Sequence, residues 1–116
     1  MPLNIRIDGD VAILSNFARL MNDPRYVDAR QDLRDLLDQG YRKFVLDLNG
    51  ARETGPSFLG LLMTLTRQVE HDRGEAVLAN LSREMQRYLG EMQMEEYWDV
   101  FASVQEATEF FRHGSE

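Results

Sequence analysis

The sequence predicts a small α/β domain: a mixed β-sheet built from an N-terminal hairpin plus parallel strands, with about four helices. Three observations carry that prediction. Leu3-Asn4-Ile5-Arg6-Ile7 and Val11-Ala12-Ile13-Leu14 flank Asp8-Gly9-Asp10, and an Asp-Gly step between two strand-like runs is a strong hairpin signal. Two later runs, Phe44-Val45-Leu46-Asp47-Leu48 and Ala76-Val77-Leu78-Ala79, are too short for helices and too apolar for exposed edges, the pattern of interior parallel strands. The segments between these runs repeat apolar residues at helical spacing, and such alternation builds parallel strands through right-handed crossovers.

In chain order, the hairpin is followed by a connection from Ser15 to Asn22 that carries Phe17, Leu20 and Met21. Asp23-Pro24 reads as an N-cap followed by proline at the first helical position, and Gly40 as the stop of that helix after Gln39. Tyr26, Ala29, Leu33, Leu36 and Leu37 share its apolar face, opposite a wet side of Asp28, Arg30, Gln31, Asp32, Arg34, Asp35 and Asp38. The strand Lys43–Leu48 breaks into a polar loop, and Gly55-Pro56 opens a second helix that runs to Asp72 before Arg73-Gly74. After the Ala76–Ala79 strand, Ser82 caps a third helix that Gly90 is expected to stop. Tyr97-Trp98-Asp99-Val100-Phe101 reads as a last short strand. Ser103-Val104-Gln105-Glu106 matches a capping box for a final helix with Ala107, Phe110 and Phe111 on its apolar side, and 113–116 form a frayed tail.

A length of 116 residues, 43% hydrophobic and 28% charged, fits one domain over residues 1–116 with a single core, and there is no repeat or linker. The short, interrupted apolar runs and the lack of an apolar leader in Met1–Arg6 predict neither a membrane span nor secretion, and a cytoplasmic location is expected. Net charge is −7 with no basic stripe, which argues against a nucleic-acid partner, because duplex binding draws most of its free energy from cations on phosphates. Glu91, Glu95, Glu96 and Asp99 cluster around Trp98, a solvated surface that also suits a basic protein face. The absence of cysteine excludes disulfides, thiolate metal sites and cysteine nucleophiles.

Catalysis finds little support. His71 falls in the last turn of its helix and His113 near the chain end, and neither belongs to a triad. Asp28, Asp32 and Asp35 share a helix face, but interleaved arginines make a salt-bridged surface the better reading than a metal site. Neither GxxxxGK[ST] nor GxGxxG is present. No catalytic residue, metal or cofactor is therefore assigned, and self-association is left open. Met85, Met92 and Met94 with Tyr88 and Trp98 read first as core and rim packing, and second as an adaptable binding surface.

The functional candidate is the junction from Asp47 to Leu62. The start of a helix leaves backbone N–H groups without helical partners, so Ser57, Phe58 and Leu59 are expected to offer free donors at the positive end of the helix dipole, suited to an anion, a phosphate or a partner's carboxylate. Val45-Leu46-Asp47-Leu48-Asn49-Gly50, then Leu59-Gly60, Val77-Leu78-Ala79-Asn80-Leu81-Ser82 and Phe101-Ala102-Ser103 with Glu106-Ala107 and Phe110 occur in an order that resembles the STAS domain, in its anti-sigma factor antagonist branch. The resemblance covers essentially the whole chain. It implies a bacterial, non-enzymatic regulator of transcription that docks an anti-sigma factor/serine kinase through Thr54, Gly55, Pro56, Ser57 and Phe58 with the neighbouring Leu20, Met21 and Asn22.

The family loop is an Asp-Ser-Ser-Gly-Leu-Gly-like motif. Aligned on it, Gly55 falls on the aspartate, Pro56 on the serine that is phosphorylated, Ser57 on the second serine and Phe58 on the glycine. Proline accepts no phosphate. The acceptor is then Ser57 or Thr54, or the partner binds without phosphoregulation. Phe58 is either a core plug or a partner-facing anchor. Two other readings remain: an accessory STAS subunit of a lipid-transport ABC system, and an anion- or nucleotide-sensing module.

Overall fold

Asn4–Asp8 (β1) and Val11–Ser15 (β2) pair antiparallel with Asp8 opposite Val11, so Gly9 and Asp10 make the entire turn. Gly9 holds φ 63°, a conformation glycine reaches without a Cβ clash. The computed structural model describes residues 3–20, 26–52 and 54–113. After a short 3₁₀ helix, Phe17–Leu20, the chain alternates: Tyr26–Asp38 (α1), Lys43–Asp47 (β3), Pro56–His71 (α2), Glu75–Ala79 (β4), Arg83–Glu91 (α3), Val100–Phe101 (β5) and Val104–His113 (α4). The five strands lie in sequential order, β1-β2-β3-β4-β5, with every pair after the hairpin parallel. The expected mixed sheet with four helices is therefore the observed one, with β3 at its centre.

Alternation along the strands divides the interior into two cores. Ala12, Leu14, Phe44, Leu46, Ala76 and Leu78 face the layer that contains the buried sides of α1, α2 and α3. Val11, Ile13, Val45, Val77 and Ala79 face α4 through Ala107 and Phe111. β2 to β4 are thus buried on both faces, which is why they read as continuous apolar runs and not as alternating ones.

Local chemistry sets the helix ends. Gly40 (φ 104°) follows α1, its N–H bonding the Leu37 carbonyl at 3.0 Å and that of Tyr41 the Leu36 carbonyl at 3.1 Å, the two bonds of a Schellman stop. Asp23-Pro24 lies outside the described residues. Ser82 caps α3 by accepting from the Met85 N–H at 3.0 Å. At α4, Ser103 accepts from the Glu106 N–H at 3.1 Å, while the Glu106 carboxylate reaches back to the Ala102 N–H at 3.1 Å, one residue earlier than the usual capping box. On the α1–α2 face, Arg34 pairs with Asp38 at 3.0 Å and with Asp72.

Two element boundaries differ from expectation. Gly90 lies inside α3, which continues to Glu91; the chain reverses at Gln93 (φ 58°), where the Met94 N–H closes onto the Leu89 carbonyl at 2.8 Å. A glycine stops a helix only where the backbone turns left-handed, and here a glutamine takes that position. The last strand is only Val100–Phe101. Trp98 is drawn inward instead, 5% exposed, its Nε1–H donating to the Thr66 hydroxyl of α2 at 2.8 Å. A buried indole N–H needs such a partner, and the bond ties the 92–99 segment to α2.

Candidate functional site

Parallel pairing brings the C-terminal ends of β2, β3 and β4 to one edge of the sheet. The connections after them therefore meet there, and Asp47 organises this edge. Its Oδ1 accepts from the Asn80 side-chain amide at 2.8 Å and from the Asn49 backbone N–H at 3.1 Å. The first bond ties the end of β3 to the residue after β4; the second forms an Asx turn. Leu48 to Ala51 then makes a β-turn, the Ala51 N–H on the Leu48 carbonyl at 3.0 Å with Gly50 at φ 85° in its third position. Leu48 and Ala51 are buried, so the loop is pinned to the core at both ends of this turn.

The helix start follows. Gly55, at φ 115°, is the N-cap of α2, without a side-chain hydrogen bond, and Pro56 occupies the first helical turn as predicted. Thr54, Pro56 and Ser57 are exposed, whereas Phe58 (0% exposed) and Leu59 are buried. Of the two roles left open for Phe58, burial selects the core plug; its side chain has no surface to offer a partner in this conformation. The expected donor set at this corner also needs correction. The Leu59 N–H is committed to the Gly55 carbonyl at 3.1 Å, leaving Ser57 and Phe58 as the amides that the helix does not use. Gly55 serving as N-cap puts Leu59 one position too deep to be free.

Leu20 closes the 3₁₀ helix on the same sheet edge, after β2, while Met21 and Asn22 lie outside the described residues. Sequence reasoning did not single out Asn80, although its place after an apolar strand was a usable signal: asparagine adopts the left-handed region more readily than most residues, and Asn80 sits at φ 59°. The strand order never reverses, so the sheet does not build the switch-point crevice where open α/β sheets bind small ligands.

The other chemistry-bearing residues lie elsewhere. His71 ends α2, and His113 sits in the last turn of α4 with Nε2 3.0 Å from Glu109. Among the described residues no group of three His, Cys, Asp or Glu side chains could hold a metal. Among the described residues, the wet face of α1 is less ion-paired than its interleaved charges predict. Asp35 accepts from the Gln31 side chain at 2.9 Å, and Asp32 has one carboxylate oxygen buried without a hydrogen-bond partner. Burial, reinforced by Asp35 and Asp28, raises the Asp32 carboxyl above the ordinary aspartate range. Among the described residues no helix is long and apolar enough to cross a membrane.

Comparison with known proteins agrees with this architecture. No curated protein matches the sequence. A candidate anti-sigma factor antagonist from Thermotoga maritima superposes with a TM-score of 0.81 at 20% identity, over 96% of this chain and 95% of that one. A STAS domain protein from Planctomyces limnophilus gives 0.73 at 19% identity, over 90% and 93% of the two chains. The Bacillus cell fate determinant SpoIIAA, in its phosphorylated form, gives 0.67 at 16% identity, over 95% and 99%. At these identities the likeness is one of fold. The family model for the STAS domain matches residues 6–107, and the chain belongs to the STAS domain family, with a fold resembling that of anti-sigma factor antagonists.

Proposed function

We propose that this chain is a non-catalytic regulatory domain that docks a partner protein on the surface at the start of α2, in the manner of an anti-sigma factor antagonist. The partner is an anti-sigma factor of the serine-kinase type, which places the domain in the bacterial cytoplasm. The observation that carries this reading is the Thr54–Ser57 corner, exposed on a junction whose neighbours Ala51, Phe58 and Leu59 are buried. A corner already held in shape loses little conformational freedom on binding, which favours recognition. Family membership supports the same reading; of the second docking segment expected from the sequence, Leu20, Met21 and Asn22, the last two lie outside the described residues.

Pro56 stands where the family's phosphorylated serine aligns, and it carries no hydroxyl. Ser57 and Thr54 are the exposed hydroxyls beside it. Ser57 occupies the first turn of α2, where a phosphate gains from helix amides and dipole, so the fold tolerates modification there and the added charge acts on the partner. Docking without phosphate is the alternative for this loop.

The test is calorimetric titration with a serine-kinase anti-sigma factor from the same cell, together with incubation with ATP and phosphosite mapping by mass spectrometry. Ser57→Asp is expected to weaken the complex by at least about tenfold, as a like charge or desolvated carboxylate in an interface does. A complex indifferent to substitution at Thr54, Pro56 and Ser57 alike overturns the docking face. Phosphate found only outside Thr54 and Ser57 removes the loop as a switch.

A further inference from the structure

Five of the described carboxylates pair with a cation: Asp10 with Lys43 at 2.9 Å, Asp38 with Arg34 at 3.0 Å, Asp72 also with Arg34, Asp8 with Arg112 at 3.7 Å and Glu109 with Arg112 at 2.8 Å. The stretch from Glu91, the last residue of α3, to Val100 in β5 differs in having four carboxylates and no basic residue among them. Glu91, Glu95, Glu96 and Asp99 are all exposed there, and none of them pairs with a cation among the described residues. Interleaved with them are Met92, 49% exposed, Tyr97, 41%, and Val100, 40%, which are three of the four large apolar side chains that the described surface exposes most. Single exposed apolar residues need no explanation; a group of them within an unpaired acidic segment is the composition of a contact surface.

The segment is held firmly. Trp98 is bonded to Thr66, and the Tyr97 ring stands edge-on to that indole at a centroid distance of 4.6 Å. The N–H groups of Met92, Met94 and Tyr97 are bonded to the carbonyls of Tyr88, Leu89 and Met94. Met92 and Tyr97 are therefore presented by fixed backbone, with little order left to lose on contact. Thr66 lies ten residues after Pro56 on α2, about 15 Å along the helix axis, so this face is separate from the Thr54–Ser57 corner and independent of its proposed role. The negative field extends inward too: Glu75 is held above the ordinary glutamate range by burial first, then by Asp99 and Glu70.

Charge selects the occupant. A nucleic acid or an anionic membrane is repelled by the carboxylates. A second copy, docked by two-fold symmetry, sets the same carboxylates against each other. A basic protein segment gains both from the carboxylates and from the apolar side chains between them. We propose that the Glu91–Val100 face docks a cationic amphipathic helix of a partner protein, its apolar stripe on Met92, Tyr97 and Val100 and its lysines or arginines on Glu91, Glu95, Glu96 and Asp99.

The test uses a designed leucine–lysine amphipathic peptide of about 14 residues, roughly four helical turns, titrated into the isotope-labelled chain. A leucine–glutamate peptide of the same pattern is the control. Amide shifts are expected to centre on residues 91–101. The double substitution Glu95→Gln/Glu96→Gln should weaken binding about tenfold, and Met92→Ser/Val100→Thr about fivefold. Asp28→Asn/Asp35→Asn, on the far helix α1, should leave binding within about twofold. All substituted residues are exposed, so unchanged thermal unfolding verifies the fold of each variant. No binding, shifts spread over every acidic surface, or binding insensitive to the apolar pair overturns the proposal. So does concentration-dependent self-association, in the absence of peptide, that Met92→Ser/Val100→Thr abolishes.

Discussion

Replacing Phe58 with alanine tests the most consequential placement in the candidate site. The side chain is fully buried in the core beneath α2, and truncating a buried phenylalanine costs about 3–5 kcal/mol in transfer and cavity terms. Alanine's better helix propensity returns about 0.5 kcal/mol, so a net loss of about 2.5–4.5 kcal/mol is expected, a large part of the ~5–15 kcal/mol that holds a domain of this kind. In urea, with a slope of about 2 kcal/mol per molar, the unfolding midpoint should fall by about 1.2–2.2 M. Phe58→Leu, which keeps most of the volume, should cost only about 1–1.5 kcal/mol. The measurement is equilibrium unfolding followed by circular dichroism, with partner binding determined on the folded fraction. A midpoint within about 0.3 M of the parent, accompanied by loss of binding, refutes the core assignment and restores Phe58 as an anchor.

Three further substitutions probe the scaffold. Thr66→Val keeps the shape but removes the acceptor of the Trp98 N–H, and should cost about 1–3 kcal/mol in thermal unfolding; an unchanged melting temperature means the 92–99 segment is not held by that bond. Gly74→Ala would place a Cβ 2.7 Å from the Arg42 carbonyl oxygen and 2.8 Å from the Val69 side chain, and should destabilise by about 1–3 kcal/mol through forced backbone movement; stability equal to the parent's refutes that close approach. Asp32→Asn addresses pH. The folded-state pKa of Asp32 is raised, so its favourable contribution is present below the unfolded carboxyl value and lost as pH rises through the folded one. The variant should melt above the parent at pH 7, with the gap closing as pH falls toward 3, and a gap that is constant with pH counts against the burial of that carboxylate.

The candidate site was legible in the chain because its parts are locally coded. Gly55-Pro56 starts α2 where proline's fixed φ and missing N–H predict, and the apolar run through Leu46 made β3 an interior strand before any partner strand was known. The Asp47–Asn80 bond was not legible. It joins residues 33 apart in sequence, and only the parallel pairing of β3 with β4 brings them to one edge. The exposure of Ser57 beside a buried Phe58 could be listed as alternatives but not chosen, since adjacent positions on a helix point about 100° apart and the choice depends on which way α2 faces the sheet.

The sequence alone determined what nearest-neighbour chemistry determines: the Gly9 turn, the glycine stop at Gly40, the serine caps of α3 and α4, and the strand and helix periods that compel a mixed sheet with crossover helices. Tertiary structure decided what depends on distant partners. Gly90 stays helical because the chain turns three residues later at Gln93. Trp98 leaves the expected strand because Thr66 offers its indole a buried acceptor, and Phe58 becomes core because α2 lies flat on the sheet. The common reason is range: capping and turn preferences act over a few residues, whereas burial is assigned only when whole faces meet.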